Sequence, residues 1–244
     1  MLPALGHEYE ENVLLAPGYS HEGLLEKVCI RGDDTQQEPI PMLDVADALT
    51  DVTKEQWFWD EIGYCLDHNL MQGMAEAEDG RQVFNPDNAM TRAQLVMVLY
   101  RIEEEPEVSY EEIFTDVASN AWYAAPVMWA HEAGIVNGRT ETTFAPDGNV
   151  TREEIATILG RYAAYKGIEL TVEGDAQEVL NAAFPDAGRV GSFALEHFAA
   201  LYQAEVITGM EGLLAPQSPA TRAQVATMLS RFVPNVLEAE DTTA

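Results

Sequence analysis

One unit occurs three times along this chain, and that repetition limits what it can fold into more than any other feature. Asp51-Val52 aligns with Asp116-Val117, and a Trp follows six residues after each Asp, at Trp57 and Trp122. A third copy opens at Phe184-Pro185-Asp186, where Phe193 takes the Trp place after one inserted residue. Trp57 to Gly73, Trp122 to Gly138 and Phe193 to Gly209 are each sixteen residues apart. Phe84-Asn85-Pro86, Phe144-Ala145-Pro146 and Leu214-Ala215-Pro216 follow, each with a Thr-Arg five residues after its Pro. Residues 91–101, 151–161 and 221–231 are near-copies, reading TRAQLVMVLYR, TREEIATILGR and TRAQVATMLSR.

Each unit reads as helix, loop, helix. The first helix, residues 122–133 in the clearest copy, carries Val127, Met128 and Trp129 inward, and Gly134 is placed to stop it as a left-handed C-cap. The second begins at the Thr, whose hydroxyl caps the N–H three residues on while Gln94, Glu154 or Gln224 reaches back. Its buried stripe is Leu95, Val98, Leu99 and Ile102, repeated as Ile155, Ile158, Leu159 and Tyr162 and as Val225, Met228, Leu229 and Phe232. A two-helix unit cannot bury that stripe alone. The expected fold class is therefore all-α, with three helix-loop-helix repeats packed around a pseudo-threefold centre. The expected limits are an N-terminal extension and linker at 1–42, repeats at 43–105, 106–167 and 168–233, and an acidic tail at 234–244 that frays. Within the extension, residues 12–31 read as a short strand or helix, in keeping with the end of an upstream domain, and residues 32–41 as a linker. A short helix is expected around residues 176–180.

Composition narrows the function. With 47% hydrophobic and 23% charged residues the chain has the balance of a folded protein. Its 42 acidic against 13 basic residues, a net charge of -29, oppose binding to nucleic acid, which needs clustered Lys and Arg. Cys29 and Cys65 show no CxxC spacing and no matching His pairs; they read as small buried residues, and whether they pair is left open. No stretch approaches the ~20 apolar residues of a membrane span. Residues 1–11 lack the blocks of a signal peptide, so an export signal is expected elsewhere. Catalytic constellations are missing as well. Gly18-Tyr19-Ser20-His21-Glu22 lacks the last Gly of a nucleophile elbow, and the five His occupy unmatched repeat positions. Asp147-Gly148-Asn149 fails the calcium-loop pattern, so neither a metal nor a cofactor is expected.

Arg92, Arg152 and Arg222 sit in the first turn of their helices, facing the positive end of the macrodipole, where a cation costs ~0.3–1 kcal/mol. They are either stapled to the repeat Asp residues 51, 116 and 186, or they form an anion site with the open N–H groups of the helix start. Trp57 and Trp122 serve either as core or as ligand platforms. Gly73, Gly138 and Gly209 permit a positive φ or let a sugar approach the backbone. Arg101, Arg161 and Arg231 complement their helix C-termini.

The order F-x-D-V, a Trp-led helix ending G-[IL]-[VM]-x-G, then F-x-P, then T-R-[AE]-[EQ] closely resembles the S-layer homology domain, here as a triplet over residues 43–233. The resemblance implies a non-catalytic, extracellular anchoring module. Such a module attaches surface proteins and exoenzymes to secondary cell-wall polysaccharide, commonly carrying pyruvylated N-acetylmannosamine, and leaves room for an upstream cargo domain. The expected polysaccharide-binding residues are Asp51, Trp57, Arg92, Asp116, Trp122, Arg152, Asp186, Phe193 and Arg222, with Gly73, Gly138 and Gly209 secondary. The chain departs from the family pattern at Leu49, at Phe193, in a first loop five residues longer than the second, and at Gln94 and Gln224, where the family favours Glu. The second repeat is closest to the pattern, so grooves involving it rank first. The alternative is a protein-protein scaffold with vestigial pockets, which does not require all three helix-start Arg.

Overall fold

A computed structural model describes residues 7–32 and 34–239. The chain divides into two compact units, Met1–His68 with Gln72–Phe84, and Asn69–Met71 with Asn85–Ala244. Strands and helices both occur among the described residues, so the fold is mixed α/β and the all-α expectation is overturned.

The strands lie in the first unit. β1 (Tyr9–Leu15), β2 (Gly23–Cys29) and β3 (Thr35–Ile40) form an antiparallel sheet in that order, with Val13 opposite Leu25 and Leu25 opposite Glu38. Lys27 links all three strands, its Nζ 2.6 Å from Glu38 and 3.8 Å from Glu11. The stretch read as a linker is therefore largely the third strand. Every residue of β1 from Glu10 to Leu15 is exposed, so its apolar VLL run carries no alternation of buried and open positions by which a strand is recognised.

The sheet is fastened to the first repeat. At the end of α2 (Trp59–Asp67), Asp67 accepts hydrogen bonds from the backbone N–H of Tyr19 and Ser20, both at 2.8 Å, and from Ser20 Oγ at 2.6 Å. Gly63 makes room for this loop, since a Cβ there would lie 2.8 Å from Tyr19 O. α1 (Val45–Ala48), capped by Asp44, precedes α2, and the longer first loop folds back as β4 (Ala75–Glu76) against β5 (Gln82–Val83). Cys29 and Cys65 are buried, as read.

The second unit holds α3 (Arg92–Ile102), α4 (Ala124–Glu132), α5 (Arg152–Tyr165), α6 (Ala176–Ala183), α7 (Leu195–Gln203) and α8 (Arg222–Phe232). Thr91, Thr151 and Thr221 each make the capping box the sequence specified. Gly134 ends α4 at φ 71°. α3, α5 and α8 bury the repeated stripe, with Ile102 half-buried. The acidic tail does not fray at its start: Val233–Leu237 continues α8 as a π-helical turn, burying Val233 and Val236. Residues 240–244 of that tail, like residues 1–6 of the segment read for a signal peptide, lie outside the described residues.

The three second helices begin on a closed ring of hydrogen bonds. Met90 N–H donates to Ala220 O, Ala220 N–H to Val150 O, and Val150 N–H to Met90 O, at 2.9–3.0 Å. One residue pair farther on, Arg92 and Ala93 N–H donate to Gly148 O and Pro146 O, Arg152 and Glu153 to Ser218 O and Pro216 O, and Arg222 and Ala223 to Asn88 O and Pro86 O. Each helix start is thus capped by the F-x-P loop of the next copy, and the third by the first. Bonds of this kind contribute ~1 kcal/mol net apiece, and the ring uses N–H groups that a helix start otherwise leaves open.

Candidate functional site

The repeat Asp residues shape the loops that the helices dock on. Asp116 accepts from Phe144 N–H at 2.8 Å and Ala145 N–H at 2.7 Å; Asp186 accepts from Leu214 and Ala215 N–H at 2.8 Å. Asp51 accepts from Phe84 N–H at 2.8 Å. These bonds hold Ala145 at φ 59° and Ala215 at φ 48°, a left-handed conformation that a residue with a Cβ adopts only when the surroundings enforce it. Burial would raise the Asp186 pKa, but the backbone donors outweigh it and hold the carboxyl below the usual range.

Neither sequence account of the helix-start Arg holds in full. The N–H groups meant to complete an anion site are consumed by the ring. The Arg92 and Arg152 guanidinium groups reach forward into the following repeat, where Asp116 and Asp186 act on them through charge and their hydrogen bonds go to backbone carbonyls. Arg92 Nε donates to Phe144 O at 3.0 Å and Nη2 to Asn137 O at 2.9 Å, with its guanidinium 4.6 Å from the Phe144 ring centre. Arg152 repeats this on the third copy, Nε to Leu214 O and Nη2 to Thr208 O, both at 2.7 Å. Arg92, Arg152 and Arg222 are all at least 95% buried, at 5%, 2% and 4% exposure. Burial lowers the pKa of Arg92, opposed by Glu154, and pushes Arg152 down to about 10, so Arg152 stays charged at neutral pH.

The glycines act through space rather than through φ. Gly73, Gly138 and Gly209 lie outside the positive-φ residues, but a Cβ at Gly138 would meet Thr140 O at 2.3 Å and at Gly209 the Phe184 ring at 2.3 Å. At Gly73 it would meet Gln82 Cβ at 2.4 Å. The aromatic positions are not core: Trp57, Trp122 and Phe193 are 63%, 56% and 54% exposed, each just ahead of its helix. Trp57 leans on Phe58 and Trp122 on Tyr123, edge to face.

A cavity of about 420 Å³ gathers some of these residues, lined by Arg92, Asn137, Gly138, Arg139, Glu154, Arg161 and Phe193 among others. Of the residues expected from sequence it brings together Arg92, Gly138 and Phe193; Trp122 and Asp116 do not line it. Glu154 accepts from Arg92 Nη1 at 3.2 Å and pairs with Arg139 at 3.1 Å, so one carboxylate meets two guanidinium groups while Arg161 lines the same cavity. Arg139 and Arg161 went unrecognised in the sequence. Arg139 had a signal, since it follows Gly138 where the other copies have Met74 and Met210. Arg161 was misplaced because α5 runs on to Tyr165, which puts it inside the helix and on the cavity wall rather than at a C-terminus. Among the described residues no group of three or more His, Cys, Asp or Glu could hold a metal, and no helix is long and apolar enough to cross a membrane.

Repeated helix pairs whose second helices share a ring, with a buried Arg at the start of each, define a multi-repeat module. The chain belongs to the S-layer homology domain family, which matches residues 48–96, 113–156 and 183–226, together more than half of it. It is similar to a surface-layer 125 kDa protein of Lysinibacillus sphaericus, 32% identical over 70% of this chain and 14% of that protein. It is also similar to an endoglucanase of Bacillus sp. (strain KSM-635), 29% identical over 76% of this chain and 18% of that protein. An amylopullulanase of Thermoanaerobacterium thermosulfurigenes is 25% identical over 72% of this chain and 9% of its own length. The chain spans less than a fifth of each of these relatives. Family membership makes it a cell-wall-binding module of a bacterial surface protein rather than a catalytic domain.

Proposed function

We propose that the chain anchors a surface protein non-covalently by binding an acidic, pyruvylated secondary cell-wall polysaccharide in grooves at the junctions between repeats. The observation that carries this reading is the cavity in which Arg92, Arg139 and Arg161 outnumber Glu154, with the exposed Phe193 ring at its edge. In a protein of net charge -29, a local surplus of guanidinium is a feature that a carboxylate-bearing sugar would use. The aromatic edge would take the apolar face of the sugar ring. The cargo is a further domain of the same protein, carried by the length the relatives have beyond this match.

The test is co-sedimentation with cell-wall sacculi, before and after acid extraction of secondary polysaccharide, using wild type and Arg161→Ala. Binding that is lost on extraction and weakened by the substitution supports the reading. Failure to bind intact walls refutes it and favours the scaffold.

A further inference from the structure

The three-stranded sheet of the first unit has two edges, and only one of them is blunted. Cys29 N–H donates to Asp34 O and Ile30 N–H to Glu8 O, both at 2.9 Å. Successive residues of a strand turn their backbone groups to opposite sides. Followed along the registers Val28↔Thr35 and Tyr9↔Cys29, these bonds fix which residues face outward. On β3 they are Thr35, Gln37 and Pro39, and Pro39 has no N–H to offer a further strand. On β1 they are Tyr9, Glu11 and Val13. Among the described residues, Glu11 and Val13 make no backbone hydrogen bond outside the sheet. Val13 is 59% exposed, and β1 has neither Pro nor Lys to deter pairing.

The sequence of β1 also complements itself. About a two-fold axis perpendicular to the sheet at Asn12, an antiparallel second copy sets Glu11 opposite the partner's Val13, and Val13 opposite the partner's Glu11. These are the outward-facing residues, so each such pair exchanges both of its backbone bonds. Asn12 falls at a pair without backbone bonds, where facing Cα atoms lie about 4.5 Å apart. Its amide is donor and acceptor at once, so it can pair with its own copy. Axes at Glu10 or Glu11 would set a carboxylate against itself, and an axis at Val13 would run the pairing into the bulge that follows it. Lys27, 3.8 Å from Glu11, partly neutralises the carboxylate that the second copy meets.

We propose that β1 is a docking edge for a second copy of this chain, the two strands pairing antiparallel about Asn12 so that two sheets become one. The ladder is short, because the bulge after Val13 ends it, and each copy carries a net charge of -29. The contact is therefore weak and strengthens as salt screens the repulsion.

Sedimentation velocity of the whole chain over a concentration series, in about 0.15 M salt, tests the pairing. A dimer should appear as the concentration approaches about 0.1 mM. Val13→Glu, which sets like charges opposite each other at both Glu11 pairs, should raise the dimer Kd about tenfold or more. Adding Glu11→Lys to Val13→Glu should restore association. Asn12→Cys tests the register: under mild oxidation it should cross-link into a covalent dimer, since the facing Cα atoms fall within the roughly 4.4–6.8 Å that a disulfide spans. Glu10→Cys should not, and the buried Cys29 and Cys65 should not compete. A chain that stays monomeric up to about 1 mM overturns the proposal. A dimer that Val13→Glu leaves intact overturns the β1 edge, and one that cross-links as readily through Glu10→Cys overturns the axis at Asn12. None of these outcomes bears on wall binding, which the sacculus assay reads separately.

Discussion

Arg152→Ala is the obvious substitution for testing glycan binding, and the structure predicts that it damages the fold first. The side chain is 2% exposed and donates to Leu214 O and Thr208 O at 2.7 Å, two carbonyls of the loop on which α5 docks. Removing it leaves both acceptors without their charged donor, about 1–3 kcal/mol each, and opens a side-chain-sized void. Part of that loss is offset, because a buried guanidinium that forms no ion pair among the described residues no longer has to be desolvated. The net expectation is a loss of about 2–5 kcal/mol, a large share of the 5–15 kcal/mol typical of a domain. Urea unfolding at pH 7, followed by circular dichroism and tryptophan fluorescence, measures it. A loss below about 1 kcal/mol would refute the reasoning and mean that the loop carbonyls find other donors. Arg161→Ala, by contrast, should cost little stability, so only in that variant does lost wall binding report on the ligand.

Trp122→Ala removes a ring that is 56% exposed and should change stability by less than about 1 kcal/mol while weakening sedimentation with sacculi, if the ring serves the ligand. Gly138→Ala should destabilise by about 2 kcal/mol or more, because its Cβ would collide with Thr140 O and Phe114; Gly134→Ala, at φ 71° with open space around it, should cost about 1 kcal/mol, and chemical denaturation separates the two. Because the folded Asp186 carboxyl titrates below the unfolded value, its contribution is present above about pH 4 and fades as pH falls through the folded pKa; Asp186→Asn should flatten the acid limb of a stability-pH curve. Wall affinity should rise from very low salt to ~0.1 M, where screening over ~10 Å relieves the repulsion between a -29 protein and an acidic polymer, then fall as the Arg contacts are screened; a monotonic decline in a salt series counts against local anion recognition.

The sequence by itself determined what short-range chemistry controls. The capping boxes at Thr91, Thr151 and Thr221 involve partners three residues apart, and the stripes from Leu95, Ile155 and Val225 follow the helical period, so both were legible without coordinates. So was membership of the family, because it rests on spacing. Tertiary structure decided the rest. The sequence leaves residues 12–31 as strand or helix and 32–41 as a linker, and does not show the three-stranded sheet they form, because β1 buries almost nothing and no alternation betrays it. Arg92 and Arg152 find their carbonyl partners 45–62 residues away, in the next repeat, where Asp116 and Asp186 also act on them. Gly138 and Gly209 looked like positions of backbone freedom and are positions of steric necessity, a distinction that depends on which ring or carbonyl arrives from elsewhere in the chain. Local hydrogen bonds and periodicity are written in consecutive residues; which guanidinium meets which loop is settled only when the ring of repeats closes.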